Sequence, residues 1–179
     1  MKMECIKQNE IIDLILESYK KELGRNFELY KNHVYRVYNL AIPSIITEIE
    51  IDIISIASAF HDIGIWTNNT FDYLKPSIAL AVKYSESINF NNETIIEIVT
   101  IINLHHKLTK IKTSKLAETF RQADLIDLTL GLVRKGRDRK YIRTIKQTFP
   151  NKGFHLYLLK LFFNNLLKNP LKPLPMYKL

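Results

Sequence analysis

Five histidines, His33, His61, His105, His106 and His155, are spread through the 179 residues, and one of them stands beside an aspartate in "AFHDIGIW", Ala59 to Trp66. That pair closes an apolar run, where a charge is costly unless it is paired or coordinated. Imidazole nitrogens and carboxylate oxygens in such a setting suit two kinds of chemistry: holding a divalent metal, and moving protons near neutral pH. His61 follows Ile53, Ala57 and Phe60 at helical spacing, with Asp62 about 100° further round. His105 follows Ile98 and Ile102, and His106 follows Ile95, Val99 and Ile102. Asp124 shares a stripe with Leu116, Phe120, Leu128 and Gly131, so it needs a positive partner. The adjacent His–Asp pair alone is a weak signal, because a lone histidine on an apolar face is more often a hydrogen-bonded core residue. The order of features is stronger: a histidine on an early helix, the pair at a helix end, two histidines closing a third helix, and a buried-face aspartate on a fourth. With Cys5 as the one cysteine, no thiolate cluster can form, and the donor set suits a transition metal or Mg²⁺.

The elements that must position these side chains read as helices almost throughout. "NEIIDLILESYKKEL" places apolar residues at Ile11, Ile15 and Tyr19, with Ile12 and Leu14 beside them, and stops at Gly24. "FELYKNHVYRVYNLAI" has Tyr30, Val34, Val37 and Ala41 on one stripe and His33, Val37 and Leu40 on an overlapping one; it ends before Pro43. "EIEIDI" alternates with period two, but Ile49, Ile53, Ile56, Ala57, Phe60 and Gly64 sustain the helical period for longer. After the loop "TNNTFDYLK", Pro76 suits the first helical position of "SIALAVKYSESI". Asn91 or Asn92 can cap "ETIIEIVTIINLHHKL", and Thr113 or Ser114 can cap "KLAETFRQADLIDLTLGLV". Gly136 interrupts the basic stretch, a helix runs to Phe149, and "FHLYLLKLFFNNLLK" forms the last helix before the proline-containing tail 169–179. The expectation is one all-α domain over 1–179, a bundle of about seven or eight helices. The motifs occupy about 30–131 and the basic helices 132–168.

Composition limits the alternatives. Apolar residues make up 46% of the chain, enough for a core, and no run reaches the length of a membrane span. The N-terminus has early acids and no small-residue cleavage site, so it does not read as a signal peptide. A reducing cytoplasm fits the cysteine usage. Residues 1–90 carry 9 Lys/Arg against 12 Asp/Glu, and residues 91–179 carry 17 against 6, which splits the net +8 very unevenly. The densest patch is "RKGRDRKYIRTIK", Arg134 to Lys146, opposed only by Asp138. It reads as a solvated surface, with attraction of an anionic substrate or a nucleic acid as the minority alternative.

From "NHVYRVYNLA" through "ASAFHDIGIWT" and "IINLHHKL" to "FRQADLIDLTLG", the chain resembles the HD-domain metal-dependent phosphohydrolases, in a branch of small bacterial members without a defined substrate. The resemblance implies His33, His61, Asp62 and Asp124 as ligands of one divalent metal ion. Asp62 would also orient an activated water. His105 or His106 would protonate the leaving oxygen, and Lys107 would help hold a phosphate. The implied substrate is a nucleotide or another small phosphate ester. Relatives often place Lys or Glu where this chain has Ile65, and dinuclear ones supply a further histidine that residues 63–104 lack. One metal rather than two is therefore expected, with Asp72 as a replacement acid or a turn residue.

Asp127 reads equally as a partner of the ligands or as a salt-bridge residue. Trp66 and Tyr73 read as core, with stacking on a base as the alternative, and His155 reads as structural. The competing function is a catalytically silent metal- or nucleotide-binding sensor, and the exposed face of the last helix offers a homodimer contact.

Overall fold

The computed structural model describes residues 4–45, 47–171 and 173–176. It is all-helical, as the sequence predicts. Among the described residues eight helices of nine residues or more follow in order: α1 Glu10–Ser18, α2 Phe27–Ala41, α3 Glu48–Phe60, α4 Leu74–Ser87, α5 Asn92–Leu104, α6 Lys115–Leu128, α7 Arg139–Thr148 and α8 Phe154–Lys168. Single helical turns at Lys20–Leu23 and Gly64–Thr67 supplement them. Among the described residues no helix is long and apolar enough to cross a membrane.

Side chains close the helix starts as their types require. Asn9, Asn91, Ser114 and Asp138 each accept a bond from the backbone N–H three residues on. Thr47 and Glu50 form a reciprocal capping box on α3, which fixes "EIEIDI" as helix rather than strand. Asn91 and Ser114 are the caps, not their neighbours Asn92 and Thr113. Pro76 is the third residue of α4, not the first; its missing N–H still falls within the unpaired first turn. Helix α6 stops at Leu128, short of Val133, because Leu130 and Gly131 adopt positive φ and the Gly131 N–H closes back on Ile126.

Helix α2 is the axis of the bundle. It packs on α3 and α6, with contacts to α7 and the start of α8. The stripe of Tyr30, Val34, Val37 and Ala41 is fully buried, and so are most of the polar residues between. Each of those has a defined partner: Asn39 exchanges bonds with the backbone of Ile6, Asn32 donates to the Pro150 carbonyl, and Arg36 reaches Asp127. Helix α3 is the second central element and packs on α1, α2 and α5, with residues 53–60 all buried. Leu14, placed beside the α1 stripe by the sequence, is 64% exposed. Trp66 and Tyr73 are core residues, and Trp66 packs against Tyr30 at 4.6 Å between ring centres.

Candidate metal centre

His33 projects from the middle of α2, and His61 and Asp62 occupy the turn that ends α3. His105 and His106 occupy the turn that ends α5, and Asp124 sits in the last turns of α6. Four elements thus aim their polar groups at one point. The His33 and His61 Nε2 atoms are 2.9 Å apart. Asp62 Oδ2 lies 3.6 Å from both of these nitrogens. Asp124 Oδ1 lies 3.8 Å from His33 Nε2 and 3.9 Å from His61 Nε2. Bonds of about 2.1 Å to a common cation put neighbouring ligand atoms about 3 Å apart at right angles and about 4.2 Å apart when opposite. The observed spacings lie within that range.

Tautomer assignments sharpen the point. The His33 Nδ1–H donates to Asp127 Oδ2 at 2.8 Å, and the His61 Nδ1–H donates to the Ser58 carbonyl at 2.8 Å. With Nδ1 protonated on both neutral rings, two Nε2 lone pairs confront each other at hydrogen-bonding distance. Only a proton or a cation between them makes that favourable. His105 repeats the pattern: its Nδ1–H donates to the Ile102 carbonyl at 2.7 Å, and its Nε2 is buried without a hydrogen-bond partner, 3.4 Å from the equally unpartnered Asp62 Oδ1. A nitrogen fixed by an outer hydrogen bond, with its other lone pair turned inward, is the usual arrangement of a metal-binding imidazole. Among the described residues two sets could therefore hold an ion, His33–His61–Asp62 and Asp62–His105–His106, and Asp62 belongs to both.

Charge supports the same reading. Asp62, Asp124 and Asp127 are 3–4% exposed, and Arg36 is the buried cation among them, at 2%. Two negative charges are left over, which a divalent cation offsets. Without one, protons must do so. Burial pushes the His33 imidazole down, but Asp127 and Asp62 outweigh it and bring the group up to about 9. Burial raises Asp124 to about 6, whereas His61 is pushed down to about 3, burial being the main cause. Burial also raises Asp62, but His61, His105 and His33 outweigh it and hold the carboxyl well below its ordinary range.

Both members of the His105–His106 pair face the cluster, although neighbours on a helix would diverge by about 100°. The chain has already left α5 at Leu104, and the turn brings the two rings to 3.9 Å. His106 Nδ1 lies 3.6 Å from Asp124 Oδ2, and its Nε2 bonds the Tyr73 hydroxyl at 2.7 Å. Lys107 lies alongside, in a small pocket of about 80 Å³ with His105, His106 and Asp124. Asp72 does not join them. It is exposed and lines neither pocket beside the cluster, and its backbone N–H bonds the Thr70 hydroxyl, as suits a loop residue.

Asp127 fills both roles open to it, as an ion-pair partner of Arg36 and as the carboxylate that orients His33. The His33–Arg36 spacing, one turn on α2, was the available signal for that arrangement. His155 donates from Nε2 to the Asp127 carbonyl at 2.9 Å and also lines the cavity above the cluster, so the structural reading is only part of its position. Phe154, stacked on His33 at 3.9 Å, carried no sequence signal at all. No family model, curated protein or solved structure matches the chain.

Proposed function

We propose that this protein is a metal-dependent phosphohydrolase of the HD-domain kind, acting on a small phosphate ester. The observation that carries the reading is the facing pair of His33 and His61 Nε2 atoms, 2.9 Å apart, with Asp62 and Asp124 beside them. Four donors from three parts of the chain share one interior point, and a divalent cation would offset the buried charge there. A divalent ion, when bound, supplies Lewis acidity toward a phosphoryl oxygen and eases loss of a proton from water.

The remaining chemistry belongs to the side chains. In the hydrolysis a new P–O bond forms from water, the ester P–O bond breaks, one proton leaves the water and one arrives on the leaving oxygen. Asp62 orients the water and accepts its proton. His106, which lines the cavity and has the Tyr73 hydroxyl on Nε2, delivers a proton to the leaving oxygen. The alternative, a silent sensor, rests on Ile65, which is 3% exposed and supplies neither charge nor proton at a position where an acid or lysine would serve catalysis.

Metal analysis and turnover together test the reading. Purified protein should hold about one equivalent of divalent metal, lost in His33→Ala, Asp62→Ala and Asp124→Ala. A generic aryl phosphate should be hydrolysed with Mn²⁺, Co²⁺, Ni²⁺ or Mg²⁺ and spared by folded Asp62→Ala. Retention of metal by all three variants defeats the ligand assignment. Metal binding with no turnover across mono-, di- and cyclic nucleotides and aryl phosphates moves the sensor reading ahead.

A further inference from the structure

We infer that the ester cut at this centre has an apolar, uncharged body, which occupies the cavity between the cluster and α8. The inference rests on the phosphohydrolase reading for the chemistry and on the cavity walls for the substrate class. The cavity holds about 390 Å³, within the usual size of small-molecule sites. Its floor is polar: His33, Asp62, His106 and Asp124 open into it, with His155 at the side. Its walls are not. Phe71, Phe154, Leu158, Phe162 and Met176 surround the space, together with the ring of Tyr73, whose hydroxyl is bonded to His106 at the floor.

No lysine or arginine among the described residues lines this cavity. A nucleoside di- or triphosphate would bring several charges into it and meet no lysine or arginine among the described residues of its lining, a costly desolvation. The cations lie elsewhere. Lys107 and Arg121 border the separate small pocket behind His106, which is large enough for little more than one phosphoryl group. Arg134, Arg139, Arg143 and Lys146 line a different concavity, around Leu130 to Leu132. Among the described residues, the cations of the basic half therefore do not line the site, although its last helix supplies much of the wall.

The roof is built for apolar contact. Helix α8 contributes Phe154, Leu158 and Phe162 from successive turns, and Asn165 donates to the Pro173 carbonyl at 2.9 Å, which holds the tail so that Met176 is 3% exposed. One phosphoryl group at the floor and a hydrocarbon or aromatic body against α8 satisfy both halves of the cavity.

Calorimetric titration of Mn²⁺-loaded protein with methyl-, butyl- and hexylphosphonate, and with AMP, tests the inference without turnover. Each added methylene should tighten binding up to about fourfold, the value of a fully buried CH₂. Hexylphosphonate should bind more tightly than AMP. Leu159→Lys, a change at a wall position that is 49% exposed and so compatible with folding, should flatten the series and leave metal content unchanged. Equal affinity along the series, or AMP tighter than hexylphosphonate, overturns the inference. The two proposals fail separately. Chain-length-dependent binding without phosphate release from hexyl phosphate sinks the hydrolase reading and keeps the cavity assignment. Phosphate release at equal kcat/KM from methyl and hexyl phosphate does the reverse.

Discussion

Arg36 grips Asp127 through two parallel bonds, Nε to Oδ1 at 2.6 Å and Nη2 to Oδ2 at 2.9 Å, and the same Oδ2 accepts the His33 Nδ1–H at 2.8 Å. The guanidinium thus fixes a carboxylate that in turn fixes a candidate ligand. Removing the cation would leave Asp127 buried and uncompensated, which typically costs about 3–5 kcal/mol. Arg36→Met should show a loss of that order in denaturant unfolding. Asp127→Asn keeps an acceptor for the His33 Nδ1–H but leaves the buried Arg36 guanidinium without its charge partner, so it should cost a similar amount. In the fraction that folds, it should also weaken metal binding by about 10–100-fold, because partners of this kind set ligand basicity and orientation. Unchanged metal affinity in folded Asp127→Asn would break the link between the ion pair and the cluster.

Metal addition should stabilise the fold. The cluster assembles residues from α2, the end of α3, the end of α5 and α6, so an ion that binds there binds the native state and has no preformed site in the unfolded one. At a free concentration of about 100 times Kd the gain is about 2.7 kcal/mol, or roughly 5–10 °C in Tm for a chain of this size. A thermal melt with and without Mn²⁺ and EDTA reads it directly. His61→Ala should abolish the shift.

Gly64 stands where two segments touch. A Cβ built on it would lie 2.6 Å from the Tyr73 carbonyl oxygen and 3.0 Å from Pro76 Cγ and Ser77 Oγ, and the Gly64 N–H donates to that Ser77 hydroxyl. The nearest of these atoms is backbone, which yields poorly. Gly64→Ala should therefore cost about 1–3 kcal/mol by overpacking. Because Tyr73 also bonds His106, the strain should reach the site, visible as reduced metal affinity.

Acid should undo the anchor of the His105–His106 turn. Glu118 accepts from the Ile111 N–H and the Arg121 guanidinium, and Arg121 also donates to the Lys107 carbonyl. Burial raises the Glu118 carboxyl, but Arg121, Ile111 and Gln122 outweigh it and bring the group down to about 2, from an ordinary value of 4.5. A depressed carboxyl contributes its stability fully above about pH 4.5 and loses it as pH falls toward 2. Glu118→Gln should be less stable than wild type by about 1–3 kcal/mol at pH 7. The gap should narrow between pH 4.5 and pH 2 in denaturant melts, and a gap independent of pH would exclude the ion pair as its source.

The sequence by itself determined the helices, their stripes and the candidate ligands. Those features are local: a period of 3.6 residues, a cap three residues before a backbone N–H, a proline that ends a run. Tyr30, Val34, Val37 and Ala41 are buried because each lies one turn from the next, whatever they pack against. Helix ends were harder to read, since the same apolar residues fit a turn as well as one more helical turn. Thus His105 and His106 pass for helix in the sequence, while the turn after Leu104 points both at the cluster. Only the tertiary structure decided the partners. A stripe gives a direction but not what waits there, and Arg36 meets Asp127 across 91 positions of chain. The same holds for the cavity, whose roof comes from the last helix and the tail, far in sequence from His33 and Asp62. Contact between distant segments depends on how whole helices pack, which is settled by the volume and shape of every side chain between them rather than by any short pattern.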